Sequence, residues 1–125
     1  MTPSDIERLR IVAEMIDTRE RSELARLTSR ANSTRSEMQR LKSRLNGVAS
    51  TGNPVAAEAF RKWCLKRLQL EAAALGEIES AIQNQMKSVA RSTARSRVLE
   101  QLANDAHRER RKAKLSRNLE SQFTS

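Results

Sequence analysis

At 125 residues the chain has the length of one domain, but 2% aromatic and 31% charged residues leave too few bulky side chains for a three-dimensional core; Ala, Leu, Arg, Glu, Lys and Ser dominate, as in coiled coils and long helices. The net charge of +9 favours acidic partner surfaces. The single cysteine, Cys64, excludes an internal disulfide, no apolar run approaches the roughly 18–20 residues of a membrane span, and Asp5, Glu7 and Arg8 near the start do not suit a secretory signal, so a soluble cytoplasmic protein is expected.

In chain order, Met1 to Pro3 reads as a short leader and Ser4 as the start of a first helix, with Glu7 completing a capping box. The predicted helix covers about residues 4–45. Its apolar track runs through Ile6, Leu9, Ala13 and Ile16, is lost at Glu20, and resumes at Leu24, Leu27, Ala31, Thr34, Met38, Leu41 and Leu45. The two successive steps of four from Ile16 through Glu20 to Leu24 read as a stutter, which locally unwinds a left-handed supercoil. The charged middle, Thr18 to Arg26, is where the seam is expected to be weakest.

Asn46 and Gly47 read as a left-handed C-cap pair, and residues 46–53 as the one loop. A connection this short makes its two helices antiparallel neighbours. Asn53 is a good N-cap and Pro54 suits the first helical position. A second helix is predicted from 54 to about 119, interrupted only by Gly76. At 1.5 Å per residue it would be about 97 Å long, too long for a compact domain of this size. Its track is Phe60, Cys64, Leu68, Ala72, Leu75, Ile78, Ile82, Met86 and Val89, thinning to Ser92, Thr93 and Ser96 and recovering through Leu99, Leu102 and Ala106. The fold class expected is all-α: a long antiparallel two-helix coiled-coil hairpin, one domain over 1–125, with a C-terminal helical overhang. A turn centred near residue 50 places Leu45 against Val55, Leu41 against Phe60, Leu27 against Ala72 and Ile6 against Ala94. About 22 residues beyond position 97, roughly 33 Å of helix, would then lack a partner, and the Ser/Thr zone at 92–96 would be the flexible point.

Catalysis needs polar groups converging in a concavity, which a two-helix rod does not offer. His107, the only histidine, reads as a solvated neighbour of Asp105 and Arg108, and Cys64 as a small apolar seam residue rather than a thiol activated by Lys62 and Lys66. No Cys/His set has metal-ligand spacing. Gly47 and Gly52 lack the lysine-serine pair of a phosphate loop. No enzyme activity, cofactor, metal or small-molecule substrate is expected. Two features suggest binding. Phe60 and Trp63 either fill the seam near the tip or present Trp63 as an anchor for a partner. Arg108, Arg110, Arg111, Lys112, Lys114 and Arg117 form a basic run, and residues 91–125 carry nine basic against four acidic side chains. The run is either a solvated face or a docking element for an acidic surface. Nucleic acid is the weaker partner because no aromatic residue is interleaved with the cations to stack bases.

A hairpin with a longer, basic second helix resembles the flagellar FliJ family and its virulence-system relatives, the coiled-coil stalks of type III export ATPases. The closest sequence echo is Leu99 and Leu102 followed by Arg108, Glu109, Arg110, Arg111, Lys112, Leu115, Leu119 and Glu120. His107 stands where the family often has an aromatic residue, and Glu120 alone represents its terminal acidic pair. The resemblance implies a rod that enters the pore of a hexameric export ATPase, contacts the cytoplasmic part of the export gate, and meets export chaperones. It would promote ring assembly and couple hydrolysis to export, working in the cytoplasm and peripheral to the inner membrane through its partners. The alternatives are a substrate- or chaperone-binding escort and, less favoured, a basic nucleic-acid-associated helical protein.

Overall fold

The computed structural model describes residues 1–48 and 52–124. They form two helices, α1 (Pro3–Gly47) and α2 (Pro54–Thr124), packed antiparallel as an all-α hairpin. Contacts group the residues into two units, one of 1–21 with 88–125 and one of 22–87. The division falls inside the charged stretch of α1 and just before the Ser/Thr zone of α2.

The helix ends follow from local chemistry. Thr2, not Ser4, caps α1: its Oγ1 accepts the Asp5 N–H at 3.2 Å, and Asp5 Oδ2 accepts the Thr2 N–H at 3.2 Å. This reciprocal pair satisfies two otherwise orphaned donors. Pro3 takes the first helical position, where its missing N–H is harmless. At the start of α2, Asn53 Oδ1 accepts the N–H groups of Val55 and Ala56 at 3.1 and 3.3 Å, as predicted. The expected left-handed C-cap at Asn46 and Gly47 does not form. Gly47 is helical and no glycine has a positive φ. Half-buried Val48 instead shares an apolar cleft with Ala57 and Phe60. Of the predicted loop, residues 49–51 lie outside the described residues. α2 runs to Thr124 rather than 119, since nothing in Glu120–Thr124 breaks a helix.

In the unit of 22–87 the buried side chains are Leu27, Ala31 and Leu41 on α1 and Cys64 and Ile78 on α2. In the unit of 1–21 with 88–125 they are Ala13, Ser92 and Ala103. The inward positions of α1 step by three and four from Ile6 through Arg10, Ala13, Asp17, Glu20 and Leu24 and on to Val48. There is therefore no stutter. Leu9 and Ile16 remain 42% and 41% exposed, while Arg10 and Asp17 point inward. On α2 the same spacing selects Glu71, Gln85 and Ala103, and leaves Ala72, Met86 and Leu102 exposed. The physical reason is that a helix cannot rotate residue by residue to follow its apolar side chains. The strong register set by Leu24, Leu27, Ala31, Leu41 and Leu45 extends through polar positions, each accommodated by a partner or by its aliphatic stem.

The cross-helix register also differs from expectation. A turn centred near residue 50 would set Asp17 against Gln83, but Asp17 bonds Ser92 and Thr93. Likewise Arg35 pairs with Glu79 at 3.2 Å rather than lying level with Leu65. Two causes add. α1 continues to Gly47 before the connection, and the first inward side chain of α2 is Ala57, since Pro54, Val55 and Ala56 are exposed. The shift keeps α2 paired well past residue 97. Leu99 and Ala106 are half-buried and Ala103 is buried. The part of α2 whose described side chains are all exposed begins at His107, and its first turn, to Arg110, still borders the start of α1. This part spans about 25 Å rather than 33 Å.

Candidate protein-docking surfaces

α2 has no feature that turns or ends it after Ala106, so its last five turns leave α1 behind. Arg108, Arg110, Arg111, Lys112, Lys114 and Arg117 are exposed there, and none forms an ion pair among the described residues. In the paired part of the hairpin some arginines are bridged and others, such as Arg8, Arg19 and Arg30, are not. Arg10, Arg21, Arg26, Arg40 and Arg67 each bridge to an acidic residue one turn away, and Arg35 crosses to Glu79. The basic charge of the C-terminal turns is thus uncommitted. With 3.6 residues per turn, Arg110, Lys114 and Arg117 share one face and Arg111 flanks it. Leu115, Leu119 and Phe123 lie on the opposite face, all exposed.

The aromatic pair is in the unit of 22–87, near the start of α2. Phe60 and Trp63 stack with ring centroids 5.9 Å apart and planes 22° apart. Phe60 is half-buried and Trp63 is 53% exposed. Only Phe60 therefore enters the seam, as part of the apolar cleft with Val48 and Ala57, and the Trp63 ring lies over it toward solvent. Stacking contributes about 0.5–1.5 kcal/mol beyond area burial, and it restricts the orientation of the half-exposed Trp63 ring.

His107 is exposed. It lines a cleft of ≈ 570 Å³ with Glu7, Arg8, Arg10, Asn104 and Arg110, in which the arginine charges outnumber the one carboxylate. Cys64 is fully buried, so its thiol is a packing group. Among the described residues no group of three His, Cys, Asp or Glu side chains could hold a metal ion. No helix among them is long and apolar enough to cross a membrane.

Of the apolar side chains left outside the seam of α1, Leu9 and Ile16 were expected within it, and Ile11, Val12 and Met15 were not singled out from sequence. Leu9, Val12 and Ile16 line a second cleft with Ala13, Ser92, Arg95 and Leu99, while Ile11 and Met15 are exposed on the other flank. The signal was present in the sequence. Between Leu9 and Ile16 apolar residues cover more than half of the helix circumference, all but the side of Arg10 and Glu14, which is more than one seam can bury. No protein-family model, curated protein or solved structure matches this chain.

Proposed function

We propose that this chain is a non-catalytic coiled-coil docking protein whose basic C-terminal turns insert into an acidic surface of a larger assembly. The observation that carries the reading is the exposed, unbridged row from Arg108 to Arg117, of which only Arg110 borders α1, in the cleft at its start. Uncommitted guanidinium groups on a helical scaffold suit carboxylate-rich surfaces, because arginine binds them with fixed fork geometry. Following the resemblance to the FliJ family, the assembly is the hexameric ATPase of a type III export apparatus. The chain is its stalk, coupling the ring to the export gate and, through the Phe60 and Trp63 end, meeting an export chaperone or the gate. On this reading the protein works in the cytoplasm, held near the inner membrane by its partners.

The test is stimulation of the ring's ATP hydrolysis by the purified chain at moderate salt. Changing Arg110, Arg111, Lys112 and Lys114 together to Glu is expected to abolish stimulation. Helicity by circular dichroism should be retained, since all four positions are exposed and Glu is a good helix former. Undiminished stimulation by this variant would remove the basic row from any docking role.

A further inference from the structure

Two apolar surfaces in the unit of 1–21 with 88–125 lack cover, and one molecule cannot use one to cover the other. The first is the Leu9, Val12 and Ile16 edge of the cleft shared with Leu99. The second is the stripe of Leu115, Leu119 and Phe123, with Phe123 88% exposed. Ala103, Asn104, Ala106 and His107 share a cleft with Pro3, Ser4 and Glu7, so α2 passes the start of α1 there. The stripe comes later on the same unbroken helix and lies beyond the end of α1. It cannot fold back onto Leu9 without breaking α2.

We infer that the chain forms a two-fold dimer in which the C-terminal stripe of each copy packs into the Leu9–Val12–Ile16 cleft of the other. Three observations support a second copy as the occupant. First, the two surfaces match in length. Leu115, Leu119 and Phe123 fall at i, i+4 and i+8, and Leu9, Val12 and Ile16 at i, i+3 and i+7; each spans about 11–12 Å of helix. Second, a two-fold axis makes the contact reciprocal, so both surfaces of both copies are covered at once and nothing is left open to polymerise. It also runs each stripe parallel to α1 of the other copy. Third, the charges ahead of the stripe agree. Lys112 precedes Leu115 by three residues, and Asp5 precedes Leu9 by four, on the same face as Leu9, Val12 and Ile16. The parallel arrangement brings Lys112 beside Asp5 of the second copy, opposite in sign.

This inference goes beyond the proposed function and does not depend on it. The stripe and the Arg110–Lys114–Arg117 face are on opposite sides of α2, so a dimer held by the stripe leaves the basic face free. A helix with both faces used also accounts for why the last turns of α2 alternate leucine with cations.

The experiment is sedimentation equilibrium of the full chain across roughly 1 to 100 µM, since association depends on concentration. A species of twice the 14.2 kDa chain mass is expected. Val12→Glu and Leu119→Glu alter exposed positions, so both variants are expected to keep wild-type helicity. Each should raise the dimer Kd by roughly tenfold or more, the effect of forcing a charge into an apolar contact. An equimolar mixture of the two should dimerise better than either alone, because the mixed pair retains one intact stripe in one intact cleft. A chain that stays monomeric throughout overturns the proposal. So does a dimer that is weakened by Val12→Glu but indifferent to Leu119→Glu, which would mean the cleft is filled by something other than the stripe.

Discussion

The Oδ1 atom of Asp17 lies 2.8 Å from the Ser92 hydroxyl and accepts its hydrogen bond across 75 residues of chain. Around it a closed network forms. The Thr93 hydroxyl reaches the same oxygen at 2.9 Å, Arg21 Nε donates to Oδ2 at 3.0 Å, and Arg21 also donates to the Thr93 Oγ1 at 2.8 Å. The carboxylate sits at an inward position of α1, where an apolar residue is the norm, yet its visible needs are met from both helices. Such a polar rung favours one register over its neighbours, because a slip of one heptad would exchange the Ser92 and Thr93 hydroxyls for Leu99 and Glu100 in one direction or Gln85 and Met86 in the other.

The network makes acid stability measurable. Hydrogen bonds from Ser92, then Arg21 and Thr93, with the Arg21 charge, hold the Asp17 carboxyl below its ordinary value. A depressed folded-state pKa contributes stability that is complete above the unfolded value, near 4, and is lost as pH falls through the folded value. Asp5 and Glu23 shift in the same direction. Melting followed by circular dichroism is expected to show a falling Tm below about pH 4. Asp17→Asn should be less stable at neutral pH but lose less on acidification. Equal slopes for the two proteins would assign the acid sensitivity to other carboxylates.

Arg10 is the seam position where the sequence is least suited to its place. Its Nε is buried without a hydrogen-bond partner, while its terminal nitrogens reach Glu7 at 2.6 Å and Glu14 at 3.8 Å. Exposed pairs of this kind contribute about 0–1 kcal/mol, whereas a buried unsatisfied donor costs about 1–3 kcal/mol. The second effect is the larger. Arg10→Leu is therefore expected to leave stability unchanged or raise it by about 1 kcal/mol, read from urea unfolding. A loss greater than that would show the two carboxylate contacts to matter more than the stranded donor.

Leu41 and Phe60 separate packing from docking. Leu41 is 1% exposed, and its replacement by Ala should cost about 2–5 kcal/mol. Phe60 is half-buried under Trp63, so Phe60→Ala should cost less than a full core truncation, about 1–3 kcal/mol. Trp63→Ala should change stability by less than Phe60→Ala. Denaturant titrations of the three variants give the order directly, and a Trp63→Ala penalty equal to that of Leu41→Ala would place the indole within the core.

The sequence by itself determined that this chain is two helices. Asn53 and Pro54 fix where the second begins, the absence of breakers after Gly76 lets it run, and low aromatic content rules out a globular core. The strongest part of the seam, from Leu24 through Leu45 and, Ala72 apart, from Phe60 through Ile82, was also legible, because apolar residues there recur at the heptad spacing. Other features were decided by the tertiary structure. Leu9, Ile16, Ala72, Met86 and Leu102 look like seam residues and are not, while Arg10, Asp17, Glu71 and Gln85 turn inward. The difference arises because a helix is rigid about its own axis: once its best positions are buried, the rest of its register follows regardless of polarity. The pairing of Asp17 with Ser92 depends on how far each helix runs before it meets the other, and such a length is not written in any local pattern. That register in turn sets how far α2 runs past the start of α1, and so which of its cations and leucines stay exposed.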